Sequence, residues 1–211
     1  MKGDGMTKRT EIALVPIEWD AVDLVEQLPD LRLVGFFDPD ASADTGELPC
    51  LGNDEDWPKV KSQRPDLKIA LLLDPPALRA RMFAHYGEES IISVISPDAH
   101  ISHRSSFGAG FIAQRGVVVM PLCRIGKGCA LNVGAALHHE CQLGDFVTVA
   151  PGARLLGTVR VGDGAYIGAG ATILQNLTIG AGAFIGAGAM VIRDVPDGAT
   201  VVGVPADRRL R

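Results

Sequence analysis

From Ile95 to Val191 a large apolar residue recurs at every sixth position, through Phe107, Ile125, Leu143, Val161 and Ile179; of the seventeen positions only Ala113 is small. A period of six fits neither the 3.6 residues of an α-helix nor the two of an amphipathic strand. It fits a prism whose faces are short strands. Each unit lays down one face, its apolar residue points inward, and a glycine beside it supports the tight corner, as in 125-IGKGCA, 161-VGDGAY and 179-IGAGAF. Three faces make a coil of about eighteen residues, so this stretch supplies about five to six coils, stacked so that backbone groups pair along the axis. A disordered glycine-rich segment has no reason to keep an aliphatic side chain at every sixth place. The spacing does not set the hand, since crossovers between parallel strands are right-handed in about 98% of cases.

Before residue 95 the pattern changes. The apolar runs 12-IALVPI, 31-LRLVGFFD and 69-IALLLD read as strands, while 19-WDAVDLVEQL and 76-PALRARMFAHYG carry helical spacing. Pro75 and Pro76 suit a helix entrance, where a missing N–H costs nothing. This alternation predicts a small parallel sheet with covering helices, a Rossmann-like unit. Such sheets bind ligands at the carboxyl ends of their strands, here near Pro16 to Trp19, Asp38 to Asp40 and Asp74. Asp38 is placed to bind a ribose or sugar hydroxyl, and equally to close a 38-DPD turn. The first strand-to-helix turn, 15-VPIEWDA, has no glycine fingerprint, so a standard pyrophosphate cradle is not expected there. The expected division is a disordered start over 1–10, an α/β unit over 11–94, a β-helix over 95–193 and a tail over 194–211.

Composition narrows the partners. A formal charge of -5 gives no general field for polyanions, and the basic residues are scattered apart from Arg208-Arg209, so nucleic acid is not an expected partner. No apolar run approaches the roughly 20 residues that span a bilayer, and MKGDGMTKRT lacks the core of a signal peptide, which points to the cytoplasm. The cysteines form no CxxC pair; Cys123, Cys129 and Cys141 are spaced by multiples of six, as buried thiols inside the repeat would be.

One unit of the repeat is chemically unlike its neighbours: 137-LHHECQ. An imidazole is the natural general base near neutral pH, and a neighbouring carboxylate can orient the ring and raise its basicity. His139 followed by Glu140 supplies both parts. Adjacent residues on a strand point to opposite faces, so their contact requires the corner to turn the chain between them. Two exposed histidines on a prism wall would fit the composition as well.

The run LNVGAALHHECQLGDFVTVAPGARLLGTVRVGDGAYIGAGATI, with IGAGAMVIRDV and VVGVPA after it, resembles the hexapeptide-repeat sugar acetyltransferases, in particular the sialic acid O-acetyltransferases and the N-acetyltransferases of nucleotide-linked amino sugars in bacillosamine and perosamine pathways. The resemblance implies a left-handed parallel β-helix, a homotrimer with sites shared between subunits, and acetyl-CoA as co-substrate with no metal. By the same resemblance His139 is the base and Glu140 its partner, the Gly157 amide stabilises the oxyanion, and Asn132, His138 and Asp38 face the acceptor. Thr148, Gly157, Ala169, Ala187 and 203-GVPA (Gly203, Val204, Pro205) match positions along acetyl-CoA, with Arg208 and Arg209 available to its 3′-phosphate. Relatives carry a glycine-rich turn after the first strand where this chain has 15-VPIEWD, and a glycine after the third where it has 72-LLDPP; the nucleotide pocket is therefore expected to be altered. The implied activity is acetyl transfer to a sugar amine, with a sugar hydroxyl, as in sialic acid, the alternative. Two further readings belong to other classes. A non-catalytic trimeric scaffold would have no reason to retain both His139 and Glu140. A zinc site like that of β-helical carbonic anhydrases could use His103 and His139, two coils apart, but needs a third ligand that is not evident.

Overall fold

The structure is a computed structural model that describes residues 9–206 and the backbone of 208 and 209. Residues 1–8 lie outside the described residues. The expected disorder of 1–10 does not reach Thr10, which begins strand β1 (Thr10–Val15) and pairs with Leu31. Strands β2 (Leu31–Phe36) and β3 (Lys68–Leu71) flank β1 on either side, all three parallel in the order β2-β1-β3. A central parallel strand is covered on both faces, which is why Ile12, Ala13, Leu14 and Val15 are all buried. Ile12 and Leu14 pack with Val22 and Val25 of helix α1 (Trp19–Glu26) and with Val94, Ile112 and Ala130 of the β-helix wall. Ala13 and Val15 pack on the other side with Trp57, Met82, Phe83 and Tyr86.

The last three of these come from helix α3 (Pro76–Tyr86), which the sequence foretold, and Trp57 from a helix it did not, α2 (Trp57–Gln63). A 3₁₀ turn over Asp54–Asp56 leads directly into α2 and is itself closed by a capping box: Asn53 accepts from the Glu55 N–H while the Asp56 carboxylate takes the Asn53 N–H. Only Trp57 of this helix is buried, wedged against Phe37 and Tyr86 at ring centroid distances of 5.9 and 5.2 Å. One anchoring aromatic leaves no apolar period to read.

The remaining chain forms a left-handed parallel β-helix of two-residue strands in three sheets. Its first face carries the strands at 94–95, 112–113, 130–131, 148–149, 166–167, 184–185 and 200–202; its second carries 100–101, 118–119, 136–137, 154–155, 172–173 and 190–191; its third carries 106–107, 124–125, 142–143, 160–161 and 178–179. Every repeat position from Ala113 to Val191 is buried, and a second inward column two residues earlier holds Phe111, Val117, Ala135, Val147 and Ala165 together with Cys123, Cys129 and Cys141. All three cysteines are free, and burial pushes the Cys129 thiol up to about 12. At the six-residue repeat positions the inward rule fails only at the open end. Ile95 and Ile101 are half-buried, and Phe107 is exposed with its ring stacked 4.8 Å from Phe111, because no coil lies beneath them.

The corner glycines divide into two physical classes. Those directly after the aliphatic residue leave no room for a side chain: a Cβ on Gly162 would stand 2.5 Å from the Ala181 nitrogen of the next coil. Those two residues later, such as Gly164 and Gly182, take φ near +60° and turn the chain onto the next face.

A buried cation helps join the two units. Arg79 of α3 is 1% exposed, and its guanidinium donates to the carbonyls of Leu73, Asp74, Gly128, Phe146 and Val147 and to the Thr148 hydroxyl. Burial lowers its pKa to about 10, so it stays charged at neutral pH. Among the described residues no helix is long and apolar enough to cross a membrane.

Candidate active site

His139 and Glu140 sit on the prism edge between the second and third faces. Glu140 has φ +61°, the left-handed turn that carries the chain round this corner, and it swings the carboxylate back toward its neighbour. The Glu140 Oε2 lies 3.1 Å from His139 Nδ1, the contact that a straight strand would forbid. With Nδ1 committed to the carboxylate, Nε2 is the nitrogen left to take a proton.

One coil further on, Gly157 occupies the place of His139 in the stack. The ladder holds them together, since the Thr158 N–H donates to the His139 carbonyl at 2.9 Å and the Asn176 N–H to the Gly157 carbonyl at 3.0 Å. A Cβ on Gly157 would stand 2.6 Å from both Cε1 and Nε2 of His139, so the absent side chain is what gives the imidazole its position. The Gly157 N–H has no acceptor among the described residues. A free backbone donor beside a free imidazole nitrogen is an arrangement suited to a developing oxyanion and the proton that must leave with it. Gly157→Ala should keep the fold, because the half-exposed ring can rotate away, but it should cost about 100-fold in kcat by moving Nε2 on the order of an ångström. Steady-state kinetics beside a thermal melt separate the two effects.

The cleft here is lined by His138, His139, Leu156, Gly157, Thr158, Gln175 and Asn176. The sequence reading missed Leu156, Thr158, Gln175 and Asn176. A signal existed: 155-LLGTVR and 173-ILQNLT lack glycine at the left-handed corner, where 161-VGDGAY and 167-IGAGAT have it.

Other expected site residues lie elsewhere. Ala169 and Ala187 are exposed one above the other on the edge between the first and second faces, with the Gly188 N–H donating to the Ala169 carbonyl at 2.8 Å. Gly203, Val204 and Pro205 form an exposed turn above Met190, whose N–H donates to the Gly203 carbonyl. Arg208 pairs through its backbone with Val202, and its side chain is outside the described part of the structure. A single chain therefore keeps the His139 edge and the Ala169–Ala187 edge apart. Thr148 needs correction as a cofactor contact. It is fully buried under the α/β unit, accepting from Arg79 at 2.9 Å and donating to the Asp74 carbonyl at 2.8 Å, because the first face is covered by that unit.

Asn132 and Asp74 meet at the carboxyl end of β3, where the Asn132 Nδ2 donates to Asp74 Oδ1 at 2.9 Å and the Tyr166 hydroxyl to Oδ2 at 3.0 Å. Tyr166 in turn stacks on Phe184 at 5.1 Å. Burial, then the charges of Asp20 and Asp74, raise the Glu18 pKa. Pro16, Pro75 and Pro76 offer no N–H to a phosphate at this end of the sheet. Asp38 caps its own turn by accepting from the Asp40 N–H at 2.9 Å. His103 is separated from His139 by the Pro121 corner, and no group of three His, Cys, Asp or Glu suited to a metal occurs among the described residues.

The family model for the bacterial transferase hexapeptide (six repeats) matches residues 158–193. That match falls wholly within the β-helix. Its likeness to solved structures extends beyond the repeat. The acetyltransferase domain of PglB from Neisseria gonorrhoeae FA1090, in complex with acetyl coenzyme A, is 27% identical with a TM-score of 0.86, covering 94% of this chain and 98% of that one. A point variant of perosamine N-acetyltransferase from Caulobacter crescentus, in complex with CoA and GDP-perosamine, is 27% identical with a TM-score of 0.85 over 93% of this chain and 95% of that one. WeeI from Acinetobacter baumannii AYE is 28% identical with a TM-score of 0.85, covering 96% of this chain and 100% of that one. No curated protein sequence matches the chain. The chain thus shares with these structures both its β-helix and the α/β unit in front of it.

Proposed function

We propose that the protein is an acetyl-CoA-dependent acetyltransferase acting on an amino group of a nucleotide-linked sugar, with His139 as general base. The observation that carries this reading is the His139–Glu140 contact at 3.1 Å beside the free N–H of Gly157. The neutral sugar amine attacks the thioester carbonyl, and the tetrahedral oxyanion is stabilised by the Gly157 N–H. His139 Nε2 takes the amine proton, and collapse forms the amide and expels the CoA thiolate, with no acyl-enzyme between.

Acetyl-CoA runs along Gly157 of one subunit and Ala169, Ala187 and the 203–205 turn of its neighbour, with Arg208 toward the 3′-phosphate. Two separate edges of one prism can line a single groove only when two copies meet, which supports a homotrimer with shared sites. Val118, Met120 and Leu122, exposed on the second face and its edge, supply apolar surface for that contact. His138 and Asn132 serve the acceptor, and Asp38 its nucleotide portion.

The test is thiol release from acetyl-CoA with UDP-, GDP- and dTDP-linked amino sugars and with sialic acid, on protein whose mass in solution is measured in parallel. An amino sugar should respond in a trimer. Response to sialic acid alone would make the enzyme an O-acetyltransferase, and no thiol release from any of them would overturn the reading.

A further inference from the structure

Along the edge that carries His139, four successive corners hold non-glycine residues in the left-handed conformation: Leu122 at +67°, Glu140 at +61°, Thr158 at +61° and Asn176 at +64°. On the other two edges the corners from 110 to 188 are all glycine except Phe146. Glycine takes this conformation freely, whereas a β-branched threonine is among the side chains least suited to it. Strain gathered on one edge of a regular prism, where glycine would serve the fold better, points to side chains held there for another purpose. The His139 contact accounts for Glu140. Nothing in the fold accounts for Thr158 or Asn176.

Their contacts do. The Thr158 Oγ1 lies 2.6 Å from the Gly157 carbonyl oxygen and 2.6 Å from the side-chain amide of Asn176. A hydroxyl has one proton and cannot donate to two acceptors, and the ends of an amide are told apart by their partners. Asn176 Oδ1 is the amide atom at that distance; with the amide turned over, which places its NH₂ there instead, Asn176 donates to Thr158 and the Thr158 hydroxyl donates to the Gly157 carbonyl. That carbonyl also accepts from the Asn176 backbone N–H at 3.0 Å, so both its lone pairs are filled. Thr158 completes the clamp from the other side by donating its own N–H to the His139 carbonyl.

We propose that Thr158 and Asn176 are positioning residues for the oxyanion donor, fixing Gly157 so that its free N–H stays beside the imidazole of His139. The inference rests on the acetyl-transfer reading of His139 and Gly157. A donor aimed in advance at the place where charge develops needs no reorganisation at the moment of reaction, and that is what a doubly clamped glycine supplies. The left-handed strain is the structural cost of putting hydroxyl and amide side chains at these two corners.

Replacement by glycine separates this role from a structural one, because it removes the hydroxyl and relieves the strain together. In full-length Thr158→Gly the melting temperature should rise by about a few degrees while kcat falls about tenfold, with KM for acetyl-CoA unchanged. Thr158→Ser should retain wild-type kcat. In 15N relaxation, the Gly157 amide should be rigid in the wild type and Thr158→Ser and mobile in Thr158→Gly. Unchanged kcat in an active Thr158→Gly enzyme, or an equally rigid Gly157 amide in that variant, would overturn the proposal. A wild type that cleaves no thioester refutes the acetyl-transfer reading instead, and the relaxation measurement still decides whether Thr158 clamps Gly157.

Discussion

His139→Asn should lower kcat by about 10²–10⁴-fold while leaving the melting temperature and acetyl-CoA affinity near those of the wild type. The asparagine amide can still donate to the Glu140 carboxylate, so the corner keeps its shape, but it cannot take a proton from the attacking amine. The His139 side chain is 54% exposed and anchors none of the inward columns, which is why the fold should not notice the change. Steady-state kinetics, a thermal melt and calorimetric titration with acetyl-CoA read the three quantities separately. Turnover at the wild-type rate would remove His139 from the mechanism. The Glu140→Gln variant should fall between the two, since it keeps a hydrogen-bond partner that orients the ring but not the carboxylate charge.

The largest effect on stability is expected from Arg79→Met. Leu73, Gly128 and Phe146 offer carbonyls that have no other donor among the described residues, and a methionine of similar bulk would leave all three unpaired, Gly128 in the buried interior and the other two half-buried. Each acceptor left unpaired away from water costs about 1–3 kcal/mol. The two tryptophans, Trp19 and Trp57, both lie in the α/β unit, so their fluorescence follows that unit alone while far-UV dichroism is dominated by the longer β-helix. In urea the fluorescence transition of the variant should move to lower concentration and separate from the dichroism transition. Arg79→Lys should recover only part of the loss, because an ammonium keeps the charge but has three donors where the guanidinium has five. A variant that unfolded at the wild-type urea concentration would show that the docking of the two units is carried by the apolar contacts and the hydrogen bonds of Asp74 rather than by Arg79.

Much of the architecture is readable from the chain because the β-helix is quasi-one-dimensional. Each coil touches only its neighbours, so an inward residue every six positions and a glycine after it are sufficient local instructions. The same holds for β1, β2, β3, α1 and α3, whose apolar runs and helix entrance mark them out. Helix α2 was not legible, since its one buried residue, Trp57, is held by Phe37 and Tyr86 from distant parts of the chain. Phe107 kept the period yet is exposed, because burial at the end of a stack depends on whether another coil follows.

The site was half legible for the same physical reason. The pair His139–Glu140 stands out as chemistry in an inert repeat, and the sequence by itself determined that a base and a carboxylate are neighbours at a corner. Whether they touch was decided by φ +61° at Glu140, a property of the prism edge. Thr148 shows the opposite case: its repeat position is unremarkable, and only the docking of the α/β unit on the first face turned it from a surface residue into a buried partner of Arg79. Periodicity fixes which side chains point in, since that depends on neighbours six and eighteen residues away. What outward side chains meet is set by the unit packed on that face, and no local pattern encodes it.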